Sequence, residues 1–327
     1  MKVASYACYG GPEVVQVVEQ PQPEPTDNEV LIQVVASTVS AGDWRARSLV
    51  MPPGFGVFAR PVFGFSGPRQ RVLGMDLAGR IAAVGKRVTE WQVGDEVVAH
   101  SGMRMGCHAQ YVVLRGDAVI VRKPLSLSFE AATSLVFGAG TAWAFLLKAK
   151  VTPGERVAIN GASGAVGSAA VQLAKHLGAH VTAVSSQVDC VRALGADRVV
   201  DYQREDFAVD KYDVILDCVG TAPWSRVKRS LNPGGRLLLV VGRFADLFLA
   251  PWISRTTGFK MVSEPTSPSR ELLTTLAGLA TEGVCVPLID EVFALEAVAE
   301  AHRRVDSGHK RGNVVLAMTD ELRTGSR

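Results

Sequence analysis

Residues 156–178 read RVAINGASGAVGSAAVQLAKHLG: an apolar strand, a turn of small residues, then an amphipathic helix. No other stretch restricts the fold as strongly, because strand, small-residue turn and helix N-terminus in that order build a site for a dinucleotide diphosphate. Ala162, Gly164 and Gly167 let backbone approach the phosphates, and a helix beginning near Ala165 aims unpaired N–H groups at their charge. Ala162 stands at the first glycine of GxGxxG, so for the turn in isolation a purely structural loop is the competing reading.

The surroundings repeat the same logic. Beyond Lys123, the segments RVAIN, HVTAVSS, DRVVDY, DVILDCV and GRLLLVVG alternate with helical stretches. Short strands rich in Val, Ile and Leu in that rhythm specify βα units and a parallel sheet covered on both faces. Residues 1–122 differ: EVLIQVVAS, DLAGRIAAVG and DEVVAH are separated by Gly and Pro, as in a β-rich domain. A chain of 327 residues is long enough for two cores. We therefore expect an α/β protein with a parallel Rossmann sheet over 123–267 and a β-rich domain over 1–122. A tail over 268–327, beyond a Pro-bearing break at 264–269, is assigned to the β-rich domain. Residues 52–70, PPGFGVFARPVFGFSGPRQ, carry too much Gly and Pro for a regular helix. They read either as a substrate-side loop or as a connector anchored by its phenylalanines.

A formal charge of +3 with dispersed basic residues leaves no footprint for nucleic acid. Cys8, Cys107, Cys190, Cys218 and Cys285 have no CxxC spacing and read as reduced thiols. No basic segment feeding an apolar core opens the chain, and no uninterrupted apolar run reaches membrane-spanning length. These features lead us to expect a cytoplasmic protein without nucleic-acid or membrane partners.

The end of the second Rossmann strand discriminates between cofactors, since it meets the adenosine ribose. Ser185 and Ser186 stand there in place of the Asp or Glu that favours NAD. Small hydroxyl residues leave room for a 2′-phosphate, so NADPH is the expected cofactor, with Arg192 and Tyr202 as further contacts. Asp189 opposes that choice if it points inward. Val219 and Gly220, and Gly242 with Arg243, end later strands, where an open parallel sheet places its ligand. The glycines also fit ordinary turns, and Arg243 also fits a solvated surface.

No set of Cys, His and carboxylate residues has catalytic-zinc spacing, and Cys107 with His108 fits a turn or core role better than a metal site. A GxSxG nucleophile turn is absent as well. Hydride transfer needs few reacting side chains, mainly alignment and stabilisation of charge growing on a carbonyl oxygen. In VSAGDWRARSL, Arg45 or Arg47 can supply that charge, with Asp43 orienting an arginine and Trp44 forming an apolar wall. A surface Asp–Arg pair around a packed tryptophan is the alternative.

The ordered set DNEVLIQVVASTVSAGDWRAR, GMDLAGRIAAVGKRVTEWQVGDEVVAH, AINGASGAVGSAAVQLAKHLGA and HKRGNVVL resembles the medium-chain dehydrogenase/reductase superfamily over nearly the whole chain. Within it, the zinc-independent quinone oxidoreductase and enone reductase branch is the closest in pattern. The resemblance implies a split GroES-like catalytic domain around a Rossmann domain, a cleft between them, and a homodimer. Zinc-dependent relatives carry a Cys within the stretch matching 39–43 and GHE where Gly74, Met75 and Asp76 stand; VSAGD and GMD here imply no metal. The resemblance also implies Asp43, Trp44 and Arg45 beside the nicotinamide and Thr141 near the cofactor. It places the backbone of Ala162, Ser163, Gly164, Ala165 and Val166 at the diphosphate, and Ser185, Ser186 and Tyr202 around the adenosine phosphate. Lys310 and Asn313 would approach as the domains close. Val188, Arg45 and Asn313 each stand where relatives often carry Lys. The implied activity is NADPH-dependent reduction of quinones or related conjugated carbonyl compounds, with enoyl thioesters or enals as alternative acceptors and a weakly catalytic dinucleotide-binding regulator as a different class.

Overall fold

The computed structural model describes residues 1–264 and 268–318; the middle of the expected break at 264–269 and the end of the tail lie outside them. A short antiparallel pair, β1 (Lys2–Ser5) and β2 (Gln16–Glu19), comes first. There follow β3 (Glu29–Val39), α1 (Ala41–Ser48), α2 (Gly56–Phe63), β4 (Asp76–Val84), β5 (Glu96–His100), β6 (Tyr111–Arg115) and β7 (Val119–Arg122). Residues 52–70 are therefore not wholly irregular: α2 forms despite Pro61 within it. Its aromatic side drives this, with the Phe55 and Phe58 rings 5.4 and 5.2 Å from Phe244.

The helical run Phe129–Ala149 comprises α3 (Phe129–Ser134), a π-helical turn (Leu135–Ala139) and α4 (Gly140–Ala149). It is long and apolar enough to match a membrane span, but 72% of its most apolar window is buried inside the fold. It packs in one apolar cluster with Val35 and Ala36 of the first sheet and with Ile159 of the second, so it joins the two.

The second sheet is built from β8 (Arg156–Asn160), α5 (Ala165–His176), β9 (His180–Val184), α6 (Val188–Ala193), β10 (Arg198–Val200), β11 (Tyr212–Asp217), α7 (Trp224–Val227), β12 (Leu231–Leu239), α8 (Asp246–Thr256) and β13 (Lys260–Val262). All its pairings are parallel, in the order β10-β9-β8-β11-β12-β13. Both faces of β11 are buried, Val214 and Leu216 in one apolar cluster and Ile215 in another. That is why its sequence runs apolar without alternation. The strand order reverses between β8 and β11, which opens a crevice at their C-terminal ends.

The described residues finish with α9 (Arg270–Thr281), β14 (Ile289–Ala294), α10 (Val298–Asp306) and β15 (Asn313–Ala317). β15 pairs antiparallel with β3, Val314 opposite Val39 and Ala317 opposite Ala36, so the tail completes the first sheet. The expected class, a parallel Rossmann sheet beside a separate β-rich GroES-like unit, is the observed one.

α10 buries His302 completely, with its ring 5.9 Å from that of His108. Burial, then the neighbouring His108 and Arg47, holds the His302 imidazole well below the usual histidine range. The folded chain keeps it neutral, whereas the unfolded chain takes up a proton near pH 6.5. Its stabilising contribution is thus complete above pH 6.5 and is lost as pH falls toward the folded value, at about 1.4 kcal/mol per pH unit. Neither ring nitrogen has a hydrogen-bond partner among the described residues, so leucine forfeits no bond there. Thermal melts between pH 7.5 and 5.5 should show a drop for wild type that is much smaller for His302→Leu; equal slopes would refute this assignment.

Candidate active site

A cavity of about 650 Å³ occupies the crevice between the two sheets. Its floor is the turn from β8 into α5. Gly161 has φ +81°, and a Cβ there would meet Val219 Cγ2 at 2.5 Å. A Cβ at Gly167 would meet the Gly161 carbonyl oxygen at 2.1 Å, so this glycine lets helix pack on strand. Gly164 is different: φ is −78°, and the nearest atom to an added Cβ is 3.5 Å away. Neither conformation nor packing requires glycine at 164, which leaves ligand approach as its physical reason. The amides of Val166 and Gly167 open α5 and donate to no carbonyl among the described residues, whereas the Ala165 amide faces the Gly312 carbonyl in the bridge between Gly164 and Gly312. The structure therefore offers a diphosphate two free donors and the positive end of a helix. The Ala162 amide does not belong to this set, because it donates to the Val184 carbonyl at 3.1 Å and the residue is fully buried.

At one end of the cavity stand Ser185, Ser186 and Tyr202. Ser185 Oγ donates to Ser163 Oγ at 2.9 Å and accepts from the Gln187 amide at 3.0 Å, while Ser186 Oγ and Tyr202 Oη are 3.3 Å apart. Asp189 points away and is 99% exposed, with Arg192 3.3 Å from it. The structure thus takes both the feared carboxylate and the hoped-for guanidinium out of the cavity. Arg226 is a cavity-wall cation instead, stacked 5.4 Å from the Phe207 ring and 2.9 Å from Asp206.

At the other end, Trp44 and Arg45 of α1 form the wall. Asp43, fully buried, does not orient Arg45. It completes a capping box with Ser40, accepting from its amide at 2.8 Å and its hydroxyl at 2.7 Å, and its other oxygen accepts from the Gly74 amide at 2.8 Å. Asp43 is a positioning group that fixes the start of α1. Arg47 is buried too and pairs with Asp306 at 2.6 Å. Arg45 alone of these two faces the cavity; its guanidinium lies 6.0 Å from the Trp44 ring, and its Nε is buried without a partner. Burial draws the Arg45 pKa down from its usual value, which leaves a poorly solvated cation.

Lys310 and Asn313 close the cavity from the tail. The Gly312 amide donates to the Ser163 carbonyl at 2.7 Å, which ties this segment to the glycine turn. Lys310 Nζ donates to the Gly312 carbonyl, and burial pushes its pKa down to about 8. Val219 also lines the cavity, but the Gly220 amide is taken by Asp217 at 2.9 Å. Gly242 packs under Ser263, Arg243 pairs with Asp246 at 2.8 Å, and Thr141 is buried within α4. None of these last four forms part of the cavity wall, which instead includes Val241, Phe137 of the π-helical turn, Thr38 and Asn160. Asn160 Nδ2 donates to Asp217 Oδ1 at 2.9 Å across the switch point. Its place as the last residue of RVAIN was a readable signal; that of Phe137 was not.

Among the described residues, no three His, Cys, Asp or Glu side chains are grouped to hold a metal ion. Residues 26–124 match the family described as alcohol dehydrogenase GroES-like domain, and residues 194–316 the one described as zinc-binding dehydrogenase. The chain is 30% identical over 332 residues to quinone-oxidoreductase QR1, chloroplastic, of Triphysaria versicolor, covering 97% of this chain and 98% of that one. It is 28% identical to the NADPH-dependent alkenal/one oxidoreductase, chloroplastic, of Arabidopsis thaliana, covering 97% and 79%. The structure of the quinone oxidoreductase from Coxiella burnetii superposes with a TM-score of 0.87 at 28% identity, over 98% of this chain and 99% of that one. These relatives overturn the cytoplasmic expectation, since they are named chloroplastic and others are named mitochondrial. The reason is physical: organellar leaders are amphipathic rather than apolar, so the lack of an export-type core says nothing about them. Glycine turn, switch-point cavity and full-length similarity agree: the chain belongs to the zinc-independent quinone and enone oxidoreductase branch of the medium-chain dehydrogenase/reductase superfamily.

Proposed function

We propose that this protein reduces quinones and related conjugated carbonyl compounds with NADPH and without a metal ion. The observation that carries this reading is one cavity that joins two free helix amides to a desolvated, carboxylate-free Arg45. The names of the QR1 and alkenal/one oxidoreductase relatives support the acceptor class, and the latter's supports the cofactor. The residues fit NADPH: Val166 and Gly167 hold the diphosphate through their amides, and Ser186 and Tyr202 offer hydroxyls to the 2′-phosphate. When bound, NADPH supplies a hydride to the electron-poor carbon. Trp44 gives the acceptor a flat apolar wall, and Arg45 stabilises negative charge on its carbonyl oxygen. Residues 1–122 with 268–327 form the catalytic domain in this reading and 123–267 the nucleotide-binding domain; the pairing of β15 with β3 supports it. A homodimer through the nucleotide-binding sheet fits the edge of β13, which pairs on one side only among the described residues.

The test is oxidation of NADPH and NADH by the purified protein with a panel of quinones, enones and enals, with and without chelator. We expect turnover that prefers NADPH and survives chelation. Inactivity with every acceptor, or loss of activity on chelation, would overturn the proposal. Arg45→Met should lower kcat/KM for these acceptors by about ten- to a hundredfold. Its NADPH affinity should be unchanged, and Arg45→Lys should recover part of the loss; full activity in Arg45→Met would exclude the role.

A further inference from the structure

Reduction of a conjugated carbonyl ends with a proton transfer, and a hydrogen-bonded chain leads from the cavity wall toward the protein surface. We propose that Thr38, Asp76 and His100 form a relay that carries a proton from solvent to the reduced acceptor, an inference that rests on the reductase reading above. Thr38, near the end of β3, is part of the cavity wall. Its Oγ1 lies 3.1 Å from Asp76 Oδ2, and His100 Nδ1 lies 2.7 Å from Asp76 Oδ1. The sheet fixes this alignment, because Asp76 of β4 and His100 of β5 are directly opposed in antiparallel register. Asp76 is 1% exposed, whereas the His100 ring is 9% exposed and its Nε2 has no protein partner among the described residues. That edge is therefore open to water.

The chemistry of the chain suits transfer. Hydroxyl, carboxyl and imidazole can each accept a proton on one side and release one on the other. Burial raises the Asp76 carboxyl above the usual carboxylate range; the bond and charge of His100 oppose this, Asp43 adds to it, and the Thr38 bond opposes it. Cys107, also close by and fully buried, has its thiol pushed up and remains neutral. These surroundings keep Asp76 able to hold a proton in transit.

After hydride addition, the acceptor holds the displaced electron pair as an enolate or hydroquinone anion. With the Asp76 carboxyl protonated on Oδ2, that proton passes to Thr38 Oγ1 as the Thr38 O–H bond breaks toward the anion, and Asp76 Oδ1 takes the Nδ1 proton of His100. Water then returns a proton to His100, and the carboxyl proton passes from Oδ1 back to Oδ2 before the next turnover. One proton enters from solvent per hydride delivered, and nothing in the relay is oxidised or reduced. Thr38 is the catalytic residue of this step, with Asp76 and His100 positioned behind it.

Thr38→Val, Thr38→Ser and Asp76→Asn in the full chain test the relay. With an enone, Thr38→Val and Asp76→Asn should lower kcat about tenfold or more, increase the solvent isotope effect and alter the pH profile, with NADPH affinity unchanged. Thr38→Ser should restore most of kcat. Quinones should be less affected, since their anion is protonated on oxygen and water serves well. A readout independent of turnover is the Asp76 carboxyl resonance of the free protein, which should titrate above the ordinary aspartate range and move further upward in His100→Gln. An active wild type whose Thr38→Val variant keeps kcat and isotope effect overturns the relay alone. An Asp76 resonance indifferent to His100→Gln also overturns it. A wild type inactive with every acceptor overturns the reductase reading and the relay together.

Discussion

Gly167→Val is expected to abolish NADPH binding and to destabilise the protein by about 3 kcal/mol, roughly 10 °C in melting temperature. A Cβ at this position stands 2.1 Å from the Gly161 carbonyl oxygen and 2.7 Å from Ala162 Cα. Both are backbone atoms of the turn, so no rotamer relieves the clash and α5 must move away from β8. That displacement carries the free amide of Val166 and the bridged amide of Ala165 with it. Gly164→Ala provides the contrast. It meets no protein atom closer than 3.5 Å and has φ −78°, so its melting temperature should match wild type while its NADPH affinity falls. Thermal melts with and without NADPH, together with a fluorescence titration, separate the two variants. Wild-type NADPH binding by Gly164→Ala would contradict the ligand-facing role of that glycine.

Asp306→Ala should cost about 3–5 kcal/mol, because it strands a charged guanidinium in the interior. Arg47 is 0% exposed, and its Nη2 lies 2.6 Å from both Asp306 oxygens. Its Nη1 donates to the Gly10 carbonyl at 2.9 Å, which leaves Asp306 as its one carboxylate partner among the described residues. The pair fastens α1, which carries Trp44 and Arg45, to α10 of the tail. Urea denaturation should show the loss, and the double change Arg47→Met with Asp306→Leu should recover much of it, because apolar groups of similar volume replace buried ion pairs at little cost. A loss below about 1 kcal/mol for Asp306→Ala would mean that water reaches the guanidinium.

How far the site was readable depended on whether its contacts are local. Ser163 to Val166 lie within one turn and one helix start, and Ser185, Ser186 and Tyr202 follow strand ends, so the alternation of apolar runs with helical stretches located them. Arg192 and Arg243 did not join the cavity, since each pairs with an acidic residue three positions away. That spacing was visible in the sequence, and weighing it would have discounted both. Ala162 was misread for a different reason: its amide serves the neighbouring strand, a bond that depends on β9 lying beside the turn. The roles of Arg45 and Arg47 were undecidable from two arginines in one short helix, because only the return of α10 with Asp306 removes Arg47 from the cavity.

The sequence by itself determined the class of fold and the location of the diphosphate turn, because short apolar strand runs, helical amphipathicity and small-residue turns are properties of neighbouring residues. The tertiary structure alone decided which cation remains unpaired, which amides remain free, and that Thr38, Asp76 and His100 form one chain. Those outcomes follow from β3, β4, β5, α10 and β15 meeting across tens to hundreds of residues, where burial and hydrogen-bond satisfaction are set by packing and leave no periodic trace in the sequence.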